Sequence, residues 1–202
     1  MHFLGISGSL RRQSLNTAAL RACAGLLPPG VTMDLADISA IPLYNEEIRE
    51  QGLPASVQTL REQILRADAL VIATPEYNYS MPGVLKNAID WASRPPSQPF
   101  EGKPIALMSA SPGGFGGARA QYQLRQVFIY LNGLILNRPE AMISAAHTKF
   151  DAQGELTDPT AADQLKALLA ALADWTRLIS TGQAAVGKAC GNLVQLFLDL
   201  VL

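Results

Sequence analysis

Apolar runs of strand length recur along this 202-residue chain and alternate with segments whose apolar residues repeat at helical spacing. The runs over Phe3–Ser7, Thr32–Ala36, Ala69–Thr74, Ile105–Ala110 and Leu134–Ile143 each predict a strand. Helices are expected over Ser14–Leu26, Ala55–Arg66, Gly83–Ala92, Ala118–Leu131 and Thr160–Ser180. The last of these sets Leu165, Leu168, Leu169, Leu172 and Trp175 on one face. Pro28-Pro29-Gly30 and Pro95-Pro96 mark boundaries between elements. Nearly continuous apolar strands joined through helices are the pattern of a parallel sheet covered on both faces, a three-layer α/β sandwich. In such a sheet, ligands sit beyond the carboxyl ends of the strands, where the strand order reverses.

The polar stretch from Pro42 to Pro54 reads as an irregular surface loop, with Glu46 and Glu47 solvated. One domain is expected over 1–182, followed by a tail over 183–202. Within the tail, Leu193 to Leu202 is apolar on nearly every side except Gln195 and Asp199. It is shorter than the roughly 20 residues of a membrane span, and reads either as an interface helix or as a segment foreign to the domain.

Composition narrows the function classes. Apolar residues make up 49% of the chain and charged residues 16%, with a formal net charge of −1. That near-neutrality argues against a polyanion-binding surface, so nucleic acid is not an expected partner. Cys23 and Cys190 lie far apart without ligand-like neighbours, which suggests neither a disulfide framework nor a zinc site. A cytoplasmic protein without leader or membrane span is expected.

Three strand-to-helix loops carry the candidate chemistry. The first runs from Gly5 to Asn16 as GISGSLRRQSLN. Its glycines allow a tight turn, Ser9, Ser14 and Asn16 supply small polar groups beside free helix-terminal amides, and Arg11 can clamp a phosphate. No lysine follows the glycines, so it is not a nucleoside-triphosphate loop, and it lacks G-x-G-x-x-G spacing. A terminal monophosphate is the better ligand; the plain alternative is a capped helix with Ser14 as N-cap and Arg11 solvated.

The second loop, Thr74 to Gly83, presents tyrosines and an amide between Pro75 and Pro82, where a flat heterocycle can lie. The third, Ser109 to Arg119, brings Ser111 and glycines around Phe115, which permit close backbone approach to a ligand. His2 and His147 stand isolated and are read as structural or surface residues. Arg119 and Arg125 are assigned to interface or surface salt bridges. No catalytic side chain and no metal ligand set is nominated.

Together these loops resemble the NAD(P)H-dependent FMN reductase family, in its quinone- and chromate-reducing branch. The resemblance is carried by Gly8-Ser9-Leu10-Arg11 with Ser14 and Asn16, by TPEYNYSMPGVLKNAIDW over Thr74–Trp91, and by GGFGGAR over Gly113–Arg119 followed by Leu124-Arg125. It covers about residues 2 to 180 and departs beyond Gly182. It implies a flavodoxin-like sandwich with a five-stranded parallel sheet in the order 2-1-3-4-5. It also implies non-covalent FMN, with NADPH or NADH as co-substrate and a quinone, free flavin, chromate or similar acceptor. Ser9, Leu10, Arg11, Ser14, Leu15 and Asn16 would hold the phosphate. Pro75, Glu76, Tyr77, Asn78 and Tyr79 would flank the ring, with Ser111, Gly113 and Gly114 on its other side. A homodimer or homotetramer is implied as well. The rival reading is a flavodoxin-type electron carrier, which binds FMN without NAD(P)H activity and is ordinarily more acidic than this chain.

Overall fold

The computed structural model describes the backbone of residues 1–201 and the side chains of residues 1–185. Its elements in chain order are β1 (His2–Ser7), α1 (Leu15–Ala24), β2 (Thr32–Ala36), α2 (Glu46–Glu50), α3 (Ala55–Arg66) and β3 (Ala69–Ala73). They continue with α4 (Gly83–Ala92), β4 (Pro104–Ala110), α5 (Ala118–Tyr130), β5 (Leu134–Ile135), β6 (Ala141–Ile143) and α6 (Pro159–Val201).

All strand pairings are parallel, and the sheet runs β2-β1-β3-β4-β5, with β6 also on β4. The expected 2-1-3-4-5 flavodoxin-like order is therefore present. The predicted fifth strand over Leu134–Ile143 is two short strands on β4, Pro104–Ile105 pairing with Leu134–Ile135 and Met108–Ala110 with Ala141–Ile143. Arg138-Pro139 lies in the gap between them, where proline has no amide to give the ladder.

β3 and β4 are buried along their whole length, as their unbroken apolar sequences require of strands covered on both faces. One face packs Phe3, Val71 and Met108 against Leu20 of α1 and Leu165, Leu168, Leu169 and Leu172 of α6. The other packs Leu4, Ile72 and Leu107 against Leu60 and Ile64 of α3, Leu85 and Ile89 of α4, and Phe128 of α5. Burying a side chain of this size stabilises the fold by about 1.5–3 kcal/mol each.

The segment expected to be an irregular solvated loop between Pro42 and Pro54 holds α2, capped by Asn45, whose Oδ1 accepts from Glu47 N at 2.9 Å. Its approach is docked on α4. Pro42 O accepts from Asn87 Nδ2 (2.8 Å) and Trp91 Nε1 (2.9 Å), and Tyr44 N donates to Asn87 Oδ1 (2.8 Å). Glu46 bonds Tyr44 and Arg49, so its carboxylate is engaged and not merely solvated. α6 continues well past the expected end at Ser180. The apolar side chains of the expected tail from Leu193 onward lie outside the described residues.

Candidate functional site

The carboxyl ends of β1, β3 and β4 open side by side because the parallel ladder continues one step into each loop. Gly8 N donates to Ala73 O (2.8 Å), Thr74 N to Met108 O (2.9 Å) and Ser111 N to Ile143 O (3.0 Å). The three loops nominated in the sequence are thus delivered to one edge, at the reversal point between β1 and β3. Between them lies a cavity of about 480 Å³, within the range of small-molecule sites.

The first wall is the turn from β1 into α1. Gly8 is packed so closely that a Cβ there would meet Leu85 Cδ2 at 3.0 Å and Ala73 O at 3.3 Å. Ser14 caps α1, its Oγ accepting from Thr17 N at 3.3 Å. That leaves the amides of Leu15 and Asn16 without a hydrogen-bond partner among the described residues. Free first-turn amides with the positive end of the helix dipole form an anion site, and this donor set fits a phosphate. Arg11 lines the same cavity and takes part in no ion pair among the described residues.

Asn16 has a second employment. Its side chain is buried, Nδ2 donating to Ala110 O (2.8 Å) and Oδ1 accepting from Ala110 N (2.9 Å). The amide therefore ties the start of α1 to the end of β4 and leaves the backbone N–H of Asn16 to face a ligand. Ser7 strengthens the same turn, its Oγ lying 2.7 Å from Thr17 Oγ1 and accepting from Ser9 N at 3.3 Å.

Pro75, Glu76 and Tyr77 form the second wall. Tyr77 and Ser80 exchange backbone hydrogen bonds (3.0 and 2.9 Å) around Asn78 and Tyr79, both at positive φ. Tight reversal of this kind presents backbone groups outward and leaves Tyr77 and Tyr79 exposed. Ser111, Ala110 and Pro112 form the third wall.

Glu76 joins the second and third loops. Its Oε2 accepts from Arg119 N (3.0 Å) and Ala120 N (3.4 Å), and its Oε1 from Arg119 Nη1 (3.0 Å). The Arg119 guanidinium lies over the rings of Tyr79 (4.0 Å) and Phe115 (4.2 Å). Arg119 thus forms a salt bridge, as expected of it, and the structure adds that this pair clasps the two loops together. Arg125 sits 3.8 Å from Glu140 as an intrachain pair.

Of the residues nominated from the sequence, Ser9, Arg11, Ser14, Leu15, Asn16, Pro75, Glu76, Tyr77 and Ser111 line the cavity. Leu10, Asn78, Tyr79, Gly113 and Gly114 belong to the same loops without lining it. The structure adds Arg12, Arg21, His147 and Phe150 to the lining, together with the turn from Asp151 to Gly154. Arg12 stands in the first loop beside Arg11, while the others belong to no motif and reach the site through the packing of α1 and of the chain after β6. His147, read as isolated, is exposed on this wall.

Comparison with known proteins agrees with this architecture. The family described as NADPH-dependent FMN reductase matches residues 1–148. The chain is 60% identical over 174 residues to NAD(P)H-dependent FMN reductase PA1204 of Pseudomonas aeruginosa, covering 86% of this chain and 94% of that one. It is 44% identical over 175 residues to the quinone reductase of Escherichia coli, covering 85% and 93%. Among solved structures it resembles FerB, a flavoenzyme NAD(P)H:(acceptor) oxidoreductase from Paracoccus denitrificans. That likeness has a TM-score of 0.79 at 36% identity over 87% of this chain and 97% of that one. With the family model matching residues 1–148 of a chain built on the 2-1-3-4-5 sheet, and a relative 60% identical over 86% of it, the chain belongs to the NADPH-dependent FMN reductase family.

Proposed function

We propose that FMN lies in this cavity with its phosphate at the start of α1, met by Ser9, Leu10, Arg11, Ser14, Leu15 and Asn16. Its ring runs along Pro75, Glu76, Tyr77, Asn78 and Tyr79, with Ser111, Gly113 and Gly114 on the other side. The observation that carries this reading is the pair of amides at Leu15 and Asn16 that find no partner among the described residues, beside Arg11, which forms no ion pair among them.

The protein is an FMN-dependent oxidoreductase that draws electrons from NADPH or NADH and reduces quinone- or flavin-type acceptors. When bound, FMN would supply the hydride and electron-transfer chemistry that links the nicotinamide to the acceptor. The chain's own residues bind and orient. The helix start and Arg11 anchor the anionic end. The Pro75–Tyr79 turn holds the ring edge with backbone groups, and the Glu76–Arg119 clasp keeps the flanking loops at a constant separation. No side chain need hold a proton for hydride transfer.

The domain is assigned to 1–182 and the tail to 183–202. A homodimer or homotetramer is supported by apolar side chains standing in solvent at the end of α5, where Ile129 is 78% and Tyr130 87% exposed. Among the described residues, no helix is long and apolar enough to cross a membrane. A reducing, cytoplasmic setting is supported by the buried free Cys23.

The test is spectroscopic. The purified protein is expected to show the absorbance bands of oxidised flavin, bleached by NADPH or NADH and restored by a quinone. A colourless protein that takes up no added FMN overturns the reading, and bands that neither nucleotide bleaches make it an electron carrier.

A further inference from the structure

The cavity holds more positive charge than one phosphate calls for. Arg11, Arg12 and Arg21 all line it, and none is in an ion pair among the described residues. Of the two carboxylates on its walls, one is neutralised by an ion pair and the other keeps a single negative charge against the three arginines. Glu76 is paired with Arg119, and Asp151 Oδ1 accepts from Gln153 N (2.9 Å) and Glu155 N (2.8 Å) to form its own turn. A phosphate monoester brings a charge of about −1.5 to −2 at neutral pH. The amino end of α1, worth roughly half a positive charge, and Arg11 go most of the way to matching it.

Arg12 and Arg21 remain. Leu15, Ala18 and Arg21 recur at three-residue steps along α1 and all line the cavity, so one flank of the helix is its floor. Arg21 lies two turns past the cap, about 10 Å along the axis. Long side chains on a helix lean toward its amino end, which brings the guanidinium back toward the phosphate loop. The Asp151–Gly154 turn approaches α1 there, a Cβ on Gly154 falling 3.9 Å from Ala18 Cβ, and His147 and Phe150 add two flat rings to the lining of the same cavity. Placement of Arg21 in the last turn of α1 also suits the helix dipole, but that accounts neither for its facing a cavity nor for Arg12 beside it.

We propose that this lobe is a second anionic subsite, formed by Arg12 and Arg21 with His147 and Phe150, that takes an adenylate group alongside the cofactor phosphate. The proposal rests on the FMN reading for the occupant of the first subsite. An adenylate couples a phosphate ester to a flat base, the combination these walls match. Two molecules carry that chemistry: the nicotinamide dinucleotide, through its adenosine phosphate, and FAD, through the half that FMN lacks.

The experiment separates the sources. Adenosine 2′,5′-bisphosphate is titrated calorimetrically into the FMN-loaded protein, and FMN and FAD are titrated separately into the apoprotein by flavin fluorescence. The variants are Arg21→Gln and Arg21→Lys. The expected result is that Arg21→Gln weakens adenylate binding by about tenfold, the scale of one charge-assisted contact, while Arg21→Lys recovers most of it and FMN affinity is unchanged. Binding of the bisphosphate to the FMN-loaded protein assigns the subsite to the nicotinamide dinucleotide. An Arg21-dependent preference for FAD over FMN assigns it to the flavin. Adenylate affinities that ignore Arg21→Gln, or that fall only in step with FMN affinity, overturn the proposal. If FMN fails to bind at all, the earlier reading falls, and the bisphosphate titration on the colourless protein still decides this one.

Discussion

Glu76 caps a helix to which it does not belong: its carboxylate accepts from both the backbone nitrogen and Nη1 of Arg119, each at 3.0 Å. The residue at the cap position of α5 is Gly117, at φ +88°, with no side chain to satisfy the first amides. A loop 43 residues upstream supplies the missing acceptor. The same contact links two of the loops around the cavity proposed for FMN, so stability and site geometry share one carboxylate.

Glu76→Ala is expected to destabilise the protein by about 1–2 kcal/mol, the scale of a lost cap plus a partly buried pair, and to weaken FMN binding by loosening the loops. Urea unfolding and FMN titration read the two effects. A midpoint and an affinity both equal to wild type would remove the clasp from the account.

Arg11→Glu would set a carboxylate against the phosphate position proposed at the start of α1. FMN affinity is expected to fall by about tenfold or more while the unfolding midpoint holds, since Arg11 is exposed. Unchanged affinity on fluorescence titration would take Arg11 out of the site.

Asn16→Ala removes both hydrogen bonds to Ala110 and strands a buried carbonyl and amide. The expected cost is about 2–4 kcal/mol in chemical denaturation, with FMN binding lowered because the loop loses its anchor. A change within roughly 0.5 kcal/mol, the ordinary scatter of surface substitutions, would mean that the turn holds without it.

Gly117→Ala and Gly182→Ala are expected to move in opposite directions. At Gly117 a Cβ would lie 2.7 Å from Ser109 Cβ at a positive φ, costing about 2 kcal/mol or more. At Gly182, inside α6, none of the described residues would lie within 4 Å of an added Cβ, and alanine is expected to add about 1 kcal/mol through helix propensity. Melting temperatures that shift in the same direction would contradict the packing described.

Burial pushes the Cys23 thiol up from 9.0 to about 12, with Met108 Sδ 4.0 Å from its sulfur. The folded chain then keeps a proton that the unfolded chain releases. Stability from this group is complete below pH 9.0 and declines as pH rises toward 12, by up to about 1.4 kcal/mol per unit. Unfolding of wild type and Cys23→Ala across that window isolates the contribution as the difference between them. A difference that stays constant with pH would refute it.

The fold was legible because its signals are local. Val71 and Ile72 stand in a run with no polar partner, which suits only a strand covered on both faces, and Ser14 marks the start of α1 by its own hydroxyl. The break between Ile135 and Ala141 was written in the chain as Asn137-Arg138-Pro139-Glu140, a polar run with a proline that cannot donate to the ladder, and the apolar residues on either side of it masked that signal when Leu134–Ile143 was read as one strand. By contrast, Pro42 and Tyr44 look like loop residues until Asn87 and Trp91, more than forty positions later, are seen to bind them.

Sequence alone determined the parallel α/β architecture and the three loops, since strand periodicity, glycine placement and helix capping act over a few neighbouring residues, while FMN followed from the resemblance those loops bear to a known family. Only the tertiary structure decided how the site's residues divide their labour. Asn16 turns its side chain to Ala110, Glu76 is committed to Arg119, and Arg21 and His147 join a cavity wall from segments with no motif. Hydrogen bonds and charge pairing depend on distances between residues remote in the chain, and those distances exist only once the helices and the sheet have packed.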